Sequence, residues 1–126
     1  LLTKTKDGEK IKRKIQTKRI YSNKYEETKH TRRFKQFNEA LKQSENALEL
    51  YPAQPILYLL NGVSNINLNA PKKAIDSLET GLDFLVENPV MERDFYTQLS
   101  EAYKLTNNNT KSKAFAKKAQ AIKVQK

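Results

Sequence analysis

The fold is decided by residues 55–82, which read PILYLLNGVSNINLNAPKKAIDSLETGL. Pro55 and Pro71 each suit the first turn of a helix, because the N–H group that proline lacks is not needed there. Asn67 and Asn69, between the two prolines, favour a turn. In the second half the apolar residues recur every three or four positions: Ala74, Ile75, Leu78 and Leu82. This spacing is the period of an amphipathic helix, so the stretch predicts two antiparallel helices joined by a short turn.

The same signals continue on both sides of this stretch. Pro89 suits the start of another helix, and the three asparagines at 107–109 indicate another turn. Asn69 and Asn88 lie just upstream of Pro71 and Pro89 and are expected to cap the exposed N–H groups of those helices. No segment alternates polar and apolar residues in the manner of a half-buried strand. We therefore predict an all-α chain, with helices near 23–34, 36–50, 55–68, 71–87, 90–105 and 110–123.

Small residues and tyrosines recur along the chain at a period of about 34 residues. The recurring pairs are Ala40 and Ala74, Ala47 and Gly81, Tyr58 and Tyr96, and Gly62 and Ser100. The first two pairs are 34 positions apart and the last two are 38 apart, with four extra residues around 87–90. A fixed period of this length is typical of helical repeat proteins.

From residue 34 to residue 126 the pattern resembles the tetratricopeptide repeat (TPR) family. The resemblance implies antiparallel helix pairs stacked as a right-handed superhelix, with about two and a half repeats. Asn61 and Asn65 depart from the family, which usually has Leu and Tyr there, and 21–34 matches none of its signature positions. We accordingly divide the chain into a basic N-terminal segment, 1–20, and a TPR-like domain, 21–126.

The resemblance also implies a binding groove on the concave side, lined chiefly by the first helix of each repeat. The implied groove residues are Ile56, Leu59, Val63, Ile66 and Asn67 in the second repeat and Asp94, Thr97, Glu101, Lys104 and Leu105 in the third. One half of this lining is apolar and the other is polar, which suits a peptide with a hydrophobic anchor and a basic or polar end. Alternatively, Ile56, Leu59 and Val63 pack under the N-terminal segment. The predicted function is a protein–protein interaction scaffold.

Charge supports a second candidate function at the N terminus. The net charge is +10, and residues 1–33 contribute +8 of it, from twelve Lys and Arg against four Asp and Glu. The basic clusters comprise Lys12, Arg13, Lys14, Lys18 and Arg19. Such clusters attract phosphate without reading a sequence, so nucleic acid or another polyanion is the alternative partner. An acidic protein, a membrane surface, a solvated linker and a helix of a preceding repeat are further interpretations of this segment.

Catalytic and metal-binding patterns are missing from the sequence. There is no Cys, His30 is the one histidine, and the three glycines are scattered rather than grouped in a phosphate-binding loop. The acidic pairs have helix-face spacing with lysines nearby, which is typical of a solvated face. We therefore expect no enzyme, no cofactor and no metal site.

No run approaches the roughly 20 apolar residues of a membrane span. Because the chain begins at Leu1, we expect it to be part of a larger protein, and no compartment is assigned.

Overall fold

A computed structural model describes residues 29–123, and every regular element in that range is an α-helix. Helix α1 occupies 29–50, and it is followed by α2 (Pro55–Asn67), α3 (Pro71–Phe84), α4 (Pro89–Leu105) and α5 (Asn109–Ala121). The predicted all-α class is therefore confirmed. The chain divides into two units, 1–35 and 36–126, and the core described below belongs to the second. The predicted boundary between 20 and 21 lies outside the described residues.

The helix starts follow the chemistry of proline and asparagine. Proline opens α2, α3 and α4, as the sequence predicts. The side chain of Asn88 caps α4 by accepting a hydrogen bond from the Met91 N–H at 3.1 Å. Asn108 caps α5 in the same way through the Lys111 N–H at 3.2 Å. The expected cap from Asn69 is wrong, because Ala70 occupies the N-cap of α3 and no side chain caps that helix.

Asn69 instead terminates the preceding helix. Its backbone is left-handed, with φ 60°, which asparagine tolerates better than most residues. The Ala70 N–H donates to the Asn65 carbonyl at 2.8 Å, and the Asn69 N–H donates to the Ile66 carbonyl at 3.1 Å. This pair of bonds is a Schellman motif, and Asn107, with φ 62°, ends α4 with the same one. Both turns predicted from asparagine are therefore present.

Two predicted helix boundaries are wrong. The helical backbone runs without interruption from 29 to 50, so there is no break near residue 35. The sequence at this point contains no Pro, Gly or Asn that would end a helix. Helix α3 ends at Phe84 instead of continuing to 87, because Leu85 is extended and Glu87 has a left-handed φ of 43°.

The helices form two antiparallel pairs around one apolar core. Helix α3 packs on α2, and helix α5 packs on α4, while α4 also contacts both α3 and α2. Phe95, Leu78 and Leu99 are the largest fully buried side chains, and each stabilises the fold by about 1.5–3 kcal/mol relative to exposure. The core joins α2, α3 and α4, so the two pairs fold as one packed body.

Small residues lie at the closest helix contacts. A Cβ added at Gly62 would be 2.5 Å from the Leu78 side chain. Ser100 lies on α4, 38 residues after Gly62, and its hydroxyl donates to the Ser112 carbonyl at 2.8 Å. The Ser112 hydroxyl donates back to the Ser100 carbonyl, also at 2.8 Å. These contacts join α2 to α3 and α4 to α5.

The two asparagines that depart from the TPR pattern form a buried polar network. Asn61 donates to the Ser44 hydroxyl on α1 at 3.2 Å. Its carbonyl oxygen accepts from Asn65 at 2.9 Å and from the Ser77 hydroxyl on α3 at 2.6 Å. Within the described part of the chain, no buried side-chain polar atom lacks a hydrogen-bond partner. Asn61 thus links α1, α2 and α3 through bonds that satisfy its buried amide.

Candidate protein-binding surface

The predicted groove residues on α2 differ in exposure. Ile56 is 42% exposed and Asn67 is exposed, whereas Val63 and Ile66 are half-buried and pack against the core. Leu59 is only 9% exposed, so the expectation that it lines an open groove is wrong. The reason is that α4 packs on α2, and Leu59 joins a buried cluster with residues of α3 and α4. It belongs to the core.

The predicted groove residues on α4 are exposed. Asp94, Thr97, Glu101 and Lys104 follow one another at intervals of three and four, which places them on one face of the helix. The Thr97 hydroxyl donates to the Arg93 carbonyl at 2.9 Å. Leu105, at the end of the same helix, is also exposed. Helix α4, which carries this stripe, contacts α2, the helix that carries Ile56 and Asn67.

An exposed apolar surface lies outside this stripe, at the end of the bundle where α2 and α4 begin. Sequence reasoning missed it. We call it the loop-end patch, and it comprises Leu50, Tyr51, Ile56, Phe84, Val86 and Val90. The stacking of Tyr58 on Phe84, with ring centroids 5.7 Å apart, holds the end of α3 against α2. The one signal in the sequence is the run of extra residues around 87–90.

The loop-end patch contains a shallow cleft of about 260 Å³. Its lining comprises Gln54, Pro55, Ile56, Phe84, Leu85, Val86, Asn88 and Met91. A second hollow of about 200 Å³ adjoins it, since Leu85 and Asn88 line both. We call this hollow the acidic notch, because Glu87 and Glu92 line it.

Glu92 is fixed in position in the acidic notch. Its Oε1 atom accepts a hydrogen bond from the Tyr96 hydroxyl at 3.0 Å. Burial and this bond raise the pKa of Tyr96 above its ordinary value. The phenol therefore stays protonated near neutral pH and continues to donate to the carboxylate.

Aromatic side chains bind α5 to α4. Tyr103 stacks on Phe115 with ring centroids 5.6 Å apart, and Tyr96 meets the same ring at 5.9 Å. The ammonium groups of Lys111 and Lys118 lie over these rings at 5.0–5.8 Å. The Tyr103 hydroxyl also donates to Glu79 on α3 at 2.7 Å. Burial, followed by that bond, raises the pKa of Tyr103 to about 12, so its hydroxyl stays protonated at neutral pH and can donate to Glu79.

Charge is segregated along the second unit. Residues 36–101 contain four Lys and Arg against ten Asp and Glu, a net charge of −6. Residues 102–123 contain six Lys and no acid, a net charge of +6. The predicted basic residues Lys12, Arg13, Lys14, Lys18 and Arg19 lie outside the described residues.

Other kinds of site receive no support from the geometry. Within 29–123, no three His, Cys, Asp or Glu side chains are grouped closely enough to hold a metal ion. His30 is exposed on α1. Over the same range, no helix is both long and apolar enough to cross a bilayer.

Comparisons of the chain with known proteins identify no family to which it belongs. The chain matches no protein-family model, and neither the curated proteins nor the solved structures contain a significant match to it.

Proposed function

We propose that residues 36–123 form a TPR-like helical-repeat domain that binds a segment of another protein along α2 and α4. The observation that supports this proposal most directly is that α2 and α4, which contact each other, both carry exposed residues of the predicted groove. These are apolar Ile56 and polar Asn67 on α2, and acidic Asp94 and Glu101 on α4. This is the half-apolar, half-polar lining that a peptide with a hydrophobic anchor and a basic end would complement.

The internal contacts support the repeat register behind this proposal. Gly62 and Ser100 occupy equivalent positions in the proposed repeats, and each lies where two helices of a pair approach closely. Gly81 lies where a Cβ would be 2.6 Å from Tyr58 and 2.7 Å from the Phe95 ring, at the junction of the proposed repeats. Small residues at these points support the repeat register; the alternative is an unrelated antiparallel helical bundle whose small residues recur by chance.

Charge reversal in the groove tests the proposal. We expect Asp94→Lys with Glu101→Lys to weaken binding of peptides selected from a random phage-displayed library at least ten-fold, because both carboxylates attract the basic end. Glu39→Lys with Glu45→Lys is the matched control, since both residues are exposed on α1 and the change in net charge is the same. Calorimetric titration of the synthesised peptides measures both affinities.

The alternative function, polyanion binding by the basic segment, predicts a different result. The affinity of the wild-type chain for single-stranded nucleic acid would then fall steeply with added salt, and replacing Lys12, Arg13 and Lys14 by alanine would weaken the binding. Groove peptides that bind both double variants equally would contradict the groove proposal. Loss of nucleic-acid binding in the triple alanine variant alone would favour the polyanion function.

A further inference from the structure

The loop-end cleft has the size and chemistry of a pocket for one apolar side chain. Ile56, Phe84 and Met91 supply apolar walls, and Val86 at its rim is 79% exposed. A volume of about 260 Å³ is smaller than the roughly 300–1,000 Å³ of typical small-molecule pockets. It suits the anchor residue of a protein segment better than a cofactor.

The acidic notch beside the cleft specifies the charge of that segment. Glu87 and Glu92 both line the notch, and Tyr96 fixes one oxygen of Glu92. Among the described residues that line either hollow, none is Lys or Arg. A ligand whose apolar side chain enters the cleft therefore has the carboxylates of Glu87 and Glu92 in the adjoining hollow. Among the described residues, the nearest cation that the structure gives is Lys118, whose ammonium lies 5.8 Å from the centre of the Tyr96 ring.

The backbone at Glu87 is left-handed. Its φ of 43° lies in a region that glycine and asparagine adopt more easily than glutamate. The other two left-handed residues of the described chain are both asparagines, Asn69 and Asn107.

We propose that the loop-end cleft and the acidic notch together form a second docking site, for a protein segment in which a bulky apolar residue is followed by Lys or Arg. The apolar side chain occupies the cleft between α2 and the end of α3. The cation pairs with Glu87 and Glu92. This site shares Ile56 with the lining of the proposed groove, but its carboxylates, Glu87 and Glu92, lie outside the stripe on α4.

Negative charge disfavours one other occupant of an apolar patch, because Glu87 and Glu92 would repel an anionic membrane surface. A second copy of the chain offers no bulky exposed residue on the lysine-rich α5, but its α1 carries Phe34, 57% exposed, directly before Lys35. The test below therefore separates a second copy from a segment of another protein.

Subtractive peptide selection on the full chain tests this site. A random twelve-residue phage library is selected on wild type and depleted on the Val86→Asp variant. We expect the surviving peptides to share a bulky apolar residue followed within three positions by Lys or Arg. Fluorescence anisotropy measures the affinity of these peptides for each variant. We expect Val86→Asp to lower this affinity at least ten-fold. Glu87→Gln should lower it at least three-fold and should make it less dependent on salt concentration.

Two controls separate this site from the rest of the surface. Leu105→Asp introduces the same charge at an exposed apolar residue, 49% exposed, at the other end of α4. Asp94→Lys with Glu101→Lys changes the proposed groove. Both are expected to leave the affinity of the selected peptides within two-fold of wild type. Far-ultraviolet circular dichroism checks that every variant keeps its helices.

Several results would overturn the proposal. One is that no peptide survives the depletion, and another is that the surviving peptides lack a basic residue. A third is that the selected peptides lose binding to the Asp94→Lys, Glu101→Lys variant but keep it to Glu87→Gln. Sedimentation that shows self-association lost on Val86→Asp would identify a second copy as the occupant. Binding to phosphatidylserine vesicles that is lost on the same change would identify a membrane.

Discussion

Gly81 is the residue at which three helices approach most closely. It lies on α3, and its missing side chain leaves room for the Cβ of Tyr58 on α2 and the ring of Phe95 on α4. Neither neighbour can easily move away, because one is attached to its own backbone and the other is fully buried. The side of α3 on which Gly81 lies therefore has no space for even a methyl group.

We therefore predict that Gly81→Ala lowers the free energy of unfolding by about 1–3 kcal/mol through overpacking. This loss is expected although alanine has a helix propensity about 1 kcal/mol better than that of glycine. Urea denaturation followed by circular dichroism measures the change. Lys73→Ala, at an exposed position on the same helix, is the control and should stay within about 0.5 kcal/mol of wild type. A Gly81→Ala chain as stable as wild type would contradict the packing described above.

At the scale of elements, the polar network around Asn61 connects α1 to the first antiparallel pair. Its three hydrogen bonds join Ser44, Asn65 and Ser77, which belong to three different helices. Buried polar groups stabilise a fold only when every member is satisfied, so removing the central amide affects all three partners.

We expect Asn61→Leu to destabilise the chain by about 1–3 kcal/mol, because it leaves buried polar groups without partners. Adding Asn65→Leu and Ser77→Ala to Asn61→Leu should cost less than the sum of the separate changes, since those polar groups are then removed as well. Urea unfolding of the single and combined variants gives the free energies for a thermodynamic mutant cycle. Strict additivity would show that the network does not act as a unit.

The helices could be predicted where local chemistry decides them. Prolines at the starts of α2, α3 and α4 and asparagines at two turns act within a few residues, so the sequence displays them directly. The end of α3 was missed because Leu85 continues the apolar period although its backbone is extended. The helical spacing of apolar residues indicates which side chains face the core. A residue with an extended backbone, such as Leu85, can also face the core and so continue that spacing.

Surfaces were harder to predict than elements. Leu59 follows the groove register of the TPR pattern, yet the packing of α4 on α2 buries it. The loop-end patch combines residues from the ends of α1 and α3 with the beginnings of α2 and α4. No local pattern links positions so distant in sequence, and antiparallel packing alone brings them together.

At the scale of the whole molecule, the buried residues of the described chain all belong to the second unit. The buried residues of the described chain run from Ser44 to Ala119. We predict that a chain beginning at Tyr21 keeps its helical circular dichroism and melts cooperatively. Its midpoint should lie within about 4 °C of the full chain, a shift that corresponds to roughly 1 kcal/mol. A non-cooperative transition would show that residues 1–20 complete the core.

The separation of charge in the second unit makes it an electric dipole. Residues 36–123 carry no net charge, but −6 lies before residue 102 and +6 lies after it, largely on α5. A neutral body with separated charges experiences a torque in the field of a charged partner, which turns it before contact. Residues 36–123 are thereby turned with the lysine-rich helix away from a basic ligand, while the net charge of +10 on the whole chain opposes the approach itself. Association rates should respond to ionic strength more strongly than the final affinity does.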